Sequence, residues 1–174
     1  MRIARITSDK SGEIDYLLSE VANHMMVNGH AISGLVKETA YVSAFENGCD
    51  MKVRVLPNGP IIKITQSLGK GSGSCRLDPC AIAEAVSMVE SGPLESADMF
   101  ILNKFGPQEA AGRGFCSVIG QAMEFDIPVL VGVSSINLTA FENFAGGMAT
   151  ELPANLANIL DWCHSAETPV LLAS

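Results

Sequence analysis

The 174-residue sequence predicts a three-layer α/β fold, with a mostly parallel sheet and an antiparallel β-hairpin at one edge. Three observations carry that prediction. The chain opens with strand, loop, helix and strand in succession, the order of a βαβ unit with its parallel, right-handed crossover. Two apolar runs, Ala97–Leu102 and Pro128–Val133, suit strands covered on both faces. An Asn58-Gly59 pair joins two β-rich runs, which is a hairpin signal.

The elements follow in order. Arg2–Thr7 reads as a first strand, and Thr7–Gly12 as a polar loop. A helix from about Gly12 to Asn28 follows, because Ile14, Leu17, Leu18, Val21, Ala22 and Met25 recur at spacings of three and four. Asn28-Gly29 stops it, and Ile32–Val36 is a second strand. Met51–Leu56 and Pro60–Gln66 form the hairpin around Pro57-Asn58-Gly59-Pro60. A Gly/Ser loop, Leu68 to Cys75, leads to a helix that Asp78 caps and Pro79 opens; Ile82, Ala85, Val86 and Val89 form its inner face. Ala97–Leu102 is the central strand, and Asn103–Pro107 is the loop leaving it. One helix is expected from about Pro107 or Gln108 to Phe125, weakened by Gly112, Gly114 and Gly120. The strand at Pro128–Val133 precedes helices at Leu138–Phe144 and Leu152–Cys163, and Pro169–Leu172 is a last short strand. No repeat and no domain boundary is visible, so residues 1–174 are expected to fold as one unit.

Composition excludes several roles. Hydrophobic residues make up 48% and charged residues 17% of the chain. Together with a mean hydropathy of +0.28, this fits a well-filled interior rather than disorder. The 11 Lys+Arg against 19 Asp+Glu give a net charge of −8. A protein that binds nucleic acid needs a basic face, so that partner is excluded. No apolar run approaches the roughly 20 residues of a membrane span, and the N-terminus has no signal-peptide core. A cytoplasmic location without membrane insertion is expected. The cysteines Cys49, Cys75, Cys80, Cys116 and Cys163 are then thiols. Cys80, Cys116 and Cys163 read as small core residues on helices, whereas Cys75, beside Arg76, is a candidate for a perturbed thiol. No metal site is assigned. His24, His30 and His164 are scattered and read as structural.

Ligands of open parallel sheets bind beyond the carboxyl ends of the strands. Three polar features are candidates there. Ser8, Asp9, Lys10, Ser11 and Gly12 precede a helix N-terminus, whose free N–H groups and positive dipole end suit an anion. The bland alternative is a plain cap by Ser11 or Asp9. The loop lacks the G-x-x-x-x-G-K-[ST] pattern, and Lys10 stands at the wrong spacing for its lysine. Asn103, Lys104 and Gly106 lead into Glu109 and Arg113, which share a helix face at i,i+4. Lys70, Gly71, Ser72, Gly73, Ser74, Cys75 and Arg76 offer a glycine-rich nest with two cations. The Ser134–Asn137 loop leaves the same edge.

These segments resemble a known family. The runs Gly73-Ser74-Cys75-Arg76-Leu77-Asp78-Pro79, Ile101–Phe115 and Ile127–Val133 resemble the bacterial domain-of-unknown-function family 2478, over nearly the whole chain. That resemblance implies an association with molybdenum transport. More distantly the layout is similar to the P-loop nucleoside triphosphatases first described from thermophiles. Their Asp-Glu-x-Gly-x-x-Glu motif reads here Asn103-Lys104-Phe105-Gly106-Pro107-Gln108-Glu109. The resemblance implies a P-loop-like fold and a site at this edge. The departures at Asn103 and Lys104, and the missing Walker lysine, remove charges that phosphoryl transfer depends on.

The resulting expectation is a non-hydrolysing binding protein for a small anion, a nucleotide or an oxyanion such as molybdate, serving molybdenum uptake or cofactor supply. Lys10, Lys104 and Arg113 would neutralise charge, and Glu109 would orient Arg113 or a water. The rival is a Mg-dependent nucleoside triphosphatase or phosphotransferase, with Glu109 as base and Asp9 or Asp78 holding the metal. A third reading is a structural partner in a cofactor-supply assembly. The sequence leaves the cofactor and the oligomeric state open, a homodimer among the options.

Overall fold

The computed structural model describes residues 2–43, 45, 50–68 and 75–167. A seven-stranded sheet organises them, with strands β1 (Ile3–Ile6), β2 (Ile32–Lys37), β3 (Lys52–Leu56), β4 (Ile61–Lys63), β7 (Met99–Phe105), β8 (Val129–Val133) and β9 (Thr150–Leu152) in the order β4-β3-β2-β7-β8-β1-β9. From β2 to β9 every pairing is parallel, and β3 and β4 add the antiparallel edge. β7 is central, as its apolar run implies. The first βαβ unit is parallel but its strands are not neighbours, because β7 and β8 lie between β1 and β2.

Strand alternation splits the core into two layers. Phe100, Leu102, Val129, Val131 and Val133 face one side, where α2 (Pro79–Glu90), α4 (Cys116–Glu124) and α5 (Leu138–Phe144) bring Ala85, Val89, Val118, Ile119, Ala122 and Phe141. Met99, Ile101, Leu130, Ala4 and Ile6 face the other, covered by α1 (Glu13–Val27) through Leu18, Val21, Ala22 and Met25 and by α6 (Leu156–Glu167) through Ile159 and Cys163. That makes three layers. Among the described residues no helix is long and apolar enough to cross a membrane.

Several sequence expectations change. The stretch from Pro60 to Gln66 is not one strand. β4 ends at Lys63, and β5 (Thr65–Ser67) pairs with β6 (Cys75–Leu77) in a separate two-stranded sheet. The helix expected from 107 to 125 is two, α3 (Pro107–Ala110) and α4, because Gly112 and Gly114 take φ of 72° and 59°. Helical backbone has negative φ, so the glycines break the helix rather than weaken it. Asn103–Phe105 is strand, not loop. The start of the Leu152–Cys163 helix is strand β9 and a turn. Cys80 is exposed rather than core, Cys116 is partly buried and Cys163 buried. The strand expected at Pro169–Leu172, together with Cys49 and Gly69–Ser74, lies outside the described residues.

The cap of α2 is as the sequence predicts. Asp78 Oδ1 accepts hydrogen bonds from the Cys80 and Ala81 N–H groups at 3.0 and 3.4 Å. Asp78→Ala is expected to cost about 1 kcal/mol, measurable as a lowered urea midpoint with an unchanged slope.

Candidate functional site

The polar mouth forms where β1, β7 and β8 end and α1 begins. A pocket of about 300 Å³ there is lined by Ser8, Asp9, Lys10, Ser11 and Gly12, by Asn103 and Lys104, and by Gly132 and Ser134. The Ser8–Gly12 loop, Asn103 and Lys104 near the end of β7, and Ser134 after β8 therefore meet in one place, and Lys10 and Lys104 share a pocket.

Local features explain the geometry. Gly12, with φ of 76°, turns the chain into α1 without a side-chain cap, so neither Ser11 nor Asp9 plays that role. Instead the Ser8 Oγ accepts from the Lys10 N–H at 3.1 Å and donates to the Glu13 carboxylate. Lys10 Nζ reaches Glu13 Oε1 at 3.0 Å. The Ser8 hydroxyl, then Lys10, hold the Glu13 carboxyl below its ordinary value, so it stays ionised to lower pH. Glu13 stands directly after the glycine, where the phosphate-binding pattern has lysine, and Ile14 stands where it has Ser or Thr. The mouth is shared but charge-balanced, not electropositive: Lys10 is already paired.

On β7 the spacing is informative. Leu102 and Phe105 lie in the same core layer although they are three positions apart, and the register against β8 shifts between them. An extra residue of this kind is a β-bulge, which re-aims side chains at a strand end. Asn103 is buried and Lys104 exposed. Asn103 Nδ2 donates to Asp15 Oδ1 at 2.9 Å, and its Oδ1 accepts from the Lys37 N–H at 3.1 Å. Lys37 Nζ completes the cluster on Asp15 Oδ2 at 2.7 Å. On β8, Gly132 leaves room for this packing: a Cβ there would meet the Asn103 carbonyl oxygen and come within 2.5 Å of Ile14 Cγ2.

Beyond that cluster lies a second cavity of about 410 Å³, sharing Asp15, Asn103 and Lys104 with the first. Leu35, Val53, Leu102, Ile82, Ala85 and Phe115 are among its walls, with Lys37, Gln108 and Glu109.

Two of the residues expected at the site play other parts. Glu109 is buried, and its carboxylate accepts from the Gly106 N–H at 2.9 Å and the Phe115 N–H at 3.0 Å. It holds the turn between α3 and α4 and neither orients Arg113 nor shares a helix face with it. Arg113 is exposed beyond the end of α3, bonds Gln108 Oε1 at 3.2 Å, and lines neither cavity. Cys116, packed behind, has its thiol pushed up by burial and by the Glu109 charge. Arg76 is exposed on β6 and lines neither cavity. Lys70, Gly71, Ser72, Gly73, Ser74 and the Cys75 side chain fall outside the described residues.

Sequence reasoning missed Asp15 and Lys37. The available signal was a carboxylate at 15 aligned with Leu18 and Ala22, both fully buried, on the inner stripe of α1. The histidines are not scattered: the His164 ring lies 6.3 Å from that of His24 and 6.0 Å from that of His30. Mg²⁺, which the resemblance to nucleoside triphosphatases implies, finds only Asp9 uncommitted among the carboxylates discussed for it. Its usual hydroxyl and carboxylate positions hold Ile14 and Asn103, Asp15 is tied to Lys37 and Asn103, and Asp78 caps α2.

Comparison with known proteins places the chain. The solution structure of a human cancer-related nucleoside triphosphatase has the same fold, with a TM-score of 0.59, 13% identity and full coverage of both chains. The chain is 32% identical over 163 residues to molybdenum import ATP-binding protein ModC 2 of Bradyrhizobium diazoefficiens, covering 92% of this chain and 18% of that protein's length. Residues 3–162 match the family model described as "Protein of unknown function (DUF2478)", and the chain belongs to that family.

Proposed function

We propose that the chain is a non-hydrolysing domain that binds a small anion, a nucleotide or an oxyanion such as molybdate, at the polar mouth, and that it serves molybdenum uptake or cofactor supply in the cytoplasm. One observation supports this above the others: the loop before α1 and Lys104 line a common pocket over a helix N-terminus. The backbone N–H groups of Ser8, Asp9, Ser11 and Gly12 would donate to the anion, with the Lys10 N–H joining them on release from Ser8 Oγ, and Lys104 would supply charge. Lys10 would do so on leaving Glu13. Arg113 lies outside both cavities and drops from the set. The similarity to part of a molybdenum import ATP-binding protein supports the biological setting.

Two observations favour the non-hydrolysing reading over the hydrolytic one. Glu109, its base, is committed to two backbone N–H groups, and Glu13 puts a negative charge where lysine would meet phosphates.

Titration calorimetry with nucleotides and with molybdate tests the reading. A charge-assisted hydrogen bond contributes about 1.5–3 kcal/mol, so Lys104→Ala is expected to raise the Kd roughly 10- to 100-fold. Phosphate release from ATP with Mg²⁺ should stay at the protein-free background. Absence of heat with every anion would remove the proposal.

A further inference from the structure

We infer that the ligand of this site is an organic anion with a flat, apolar body, the body seated in the larger cavity and the anionic group held at Lys104. This rests on the anion-binding reading above and narrows it, because a bare oxyanion would occupy the polar pocket alone.

The larger cavity carries the argument. It is a partly open cleft of about 410 Å³. It falls within the roughly 300–1,000 Å³ of small-molecule sites, which are mostly apolar with a few placed polar groups. Its walls follow that description: Leu35, Val53 and Leu102 from the sheet, Ile82 and Ala85 from α2, and Phe115.

Charge bookkeeping then selects the ligand's sign. Asp15 is paired with Lys37 at 2.7 Å and takes a hydrogen bond from Asn103 at 2.9 Å. Glu109 is satisfied by two backbone N–H groups. Lys104 has no ion-pair partner among the described residues, and it lines both cavities. A cation free of ion pairs at the junction of an apolar chamber and a polar pocket fits one anionic group attached to an apolar body, with the Asp9 carboxylate confined to the polar side. Phosphate esters and carboxylates both meet that description. Ring systems suit it well, since they bury a large face at small conformational cost.

The experiment uses the whole protein and defined probes: 1-naphthyl phosphate, 1-naphthoate and inorganic phosphate, followed by calorimetry. The expected result is that naphthyl phosphate or naphthoate binds at least about tenfold tighter than inorganic phosphate, the tighter of the two naming the head group. Ile82→Trp, which fills the chamber, should bring that ratio close to one, with folding verified by circular dichroism. Ala85→Leu provides a milder version if the tryptophan variant does not fold. Naphthyl probes that bind no tighter than inorganic phosphate would overturn this inference while leaving anion binding intact. Silence from every probe, inorganic phosphate and molybdate included, would sink both.

Discussion

Gly34→Ala is expected to yield little or no folded protein. Gly34 lies inside β2, paired with Ile101 of β7 on one side and Leu56 of β3 on the other. Its φ of 121° is one that side-chain-bearing residues rarely adopt, and a Cβ would run into the Ile101 carbonyl oxygen, with the carbonyl carbon and amide nitrogen of that residue at 2.9 Å. The obstacle is the backbone of the central strand, which has no rotamer to yield. Backbone strain of about 1–3 kcal/mol and overpacking of about 1–3 kcal/mol add up to a large share of the roughly 5–15 kcal/mol that holds a domain folded. Any soluble variant should unfold at a urea concentration lower by about 1 M or more. Gly29→Ala separates the two causes. Gly29 also has positive φ, 90°, but nothing lies within 4 Å of its Cβ position, so that variant carries the strain alone. Equal midpoints for the two variants would contradict the close approach of β2 to β7.

Glu109→Ala should destabilise the protein rather than switch off a reaction. The side chain is 7% exposed, and its two oxygens take the Gly106 and Phe115 N–H groups. Truncation leaves both donors buried without an acceptor, at about 1–3 kcal/mol each. For a chain of this size that corresponds to a thermal midpoint lower by roughly 4–24 °C. Glu109→Gln keeps one acceptor but turns its NH₂ group toward the other N–H, so it should recover part of the loss at most. The turn is built around this carboxylate: a Cβ on Gly114 would strike Glu109 Oε1. Calorimetric melting of the three proteins decides the point. An unchanged midpoint with lost nucleotide turnover would restore Glu109 as a catalytic base.

Much of this architecture is written in short-range pattern. The α1 stripe, the Asp78 cap with Pro79 and the apolar runs of β7 and β8 are set by residues within a turn or two of one another, and each stands where the pattern puts it. Errors cluster where the local reading was a matter of degree. Gly112 and Gly114 lower helix propensity in any context, but only their positive φ in the fold makes them a break. Thr150–Leu152 has no strong strand pattern, and it becomes a strand by pairing with β1.

The site divides along the same line. Layer architecture, candidate loops and the missing phosphate-binding lysine are all legible along the chain, because periodicity, capping and motif spacing are local. Which groups meet is set by the folded arrangement. Asn103 finds Asp15 from 88 positions away, Lys37 joins them at the end of β2, and a bulge turns Lys104 to the mouth while Glu109 is drawn inside. Those outcomes depend on strand order and register, which arise from packing the two apolar faces of the sheet against particular helices, and no local pattern encodes which distant residue arrives opposite.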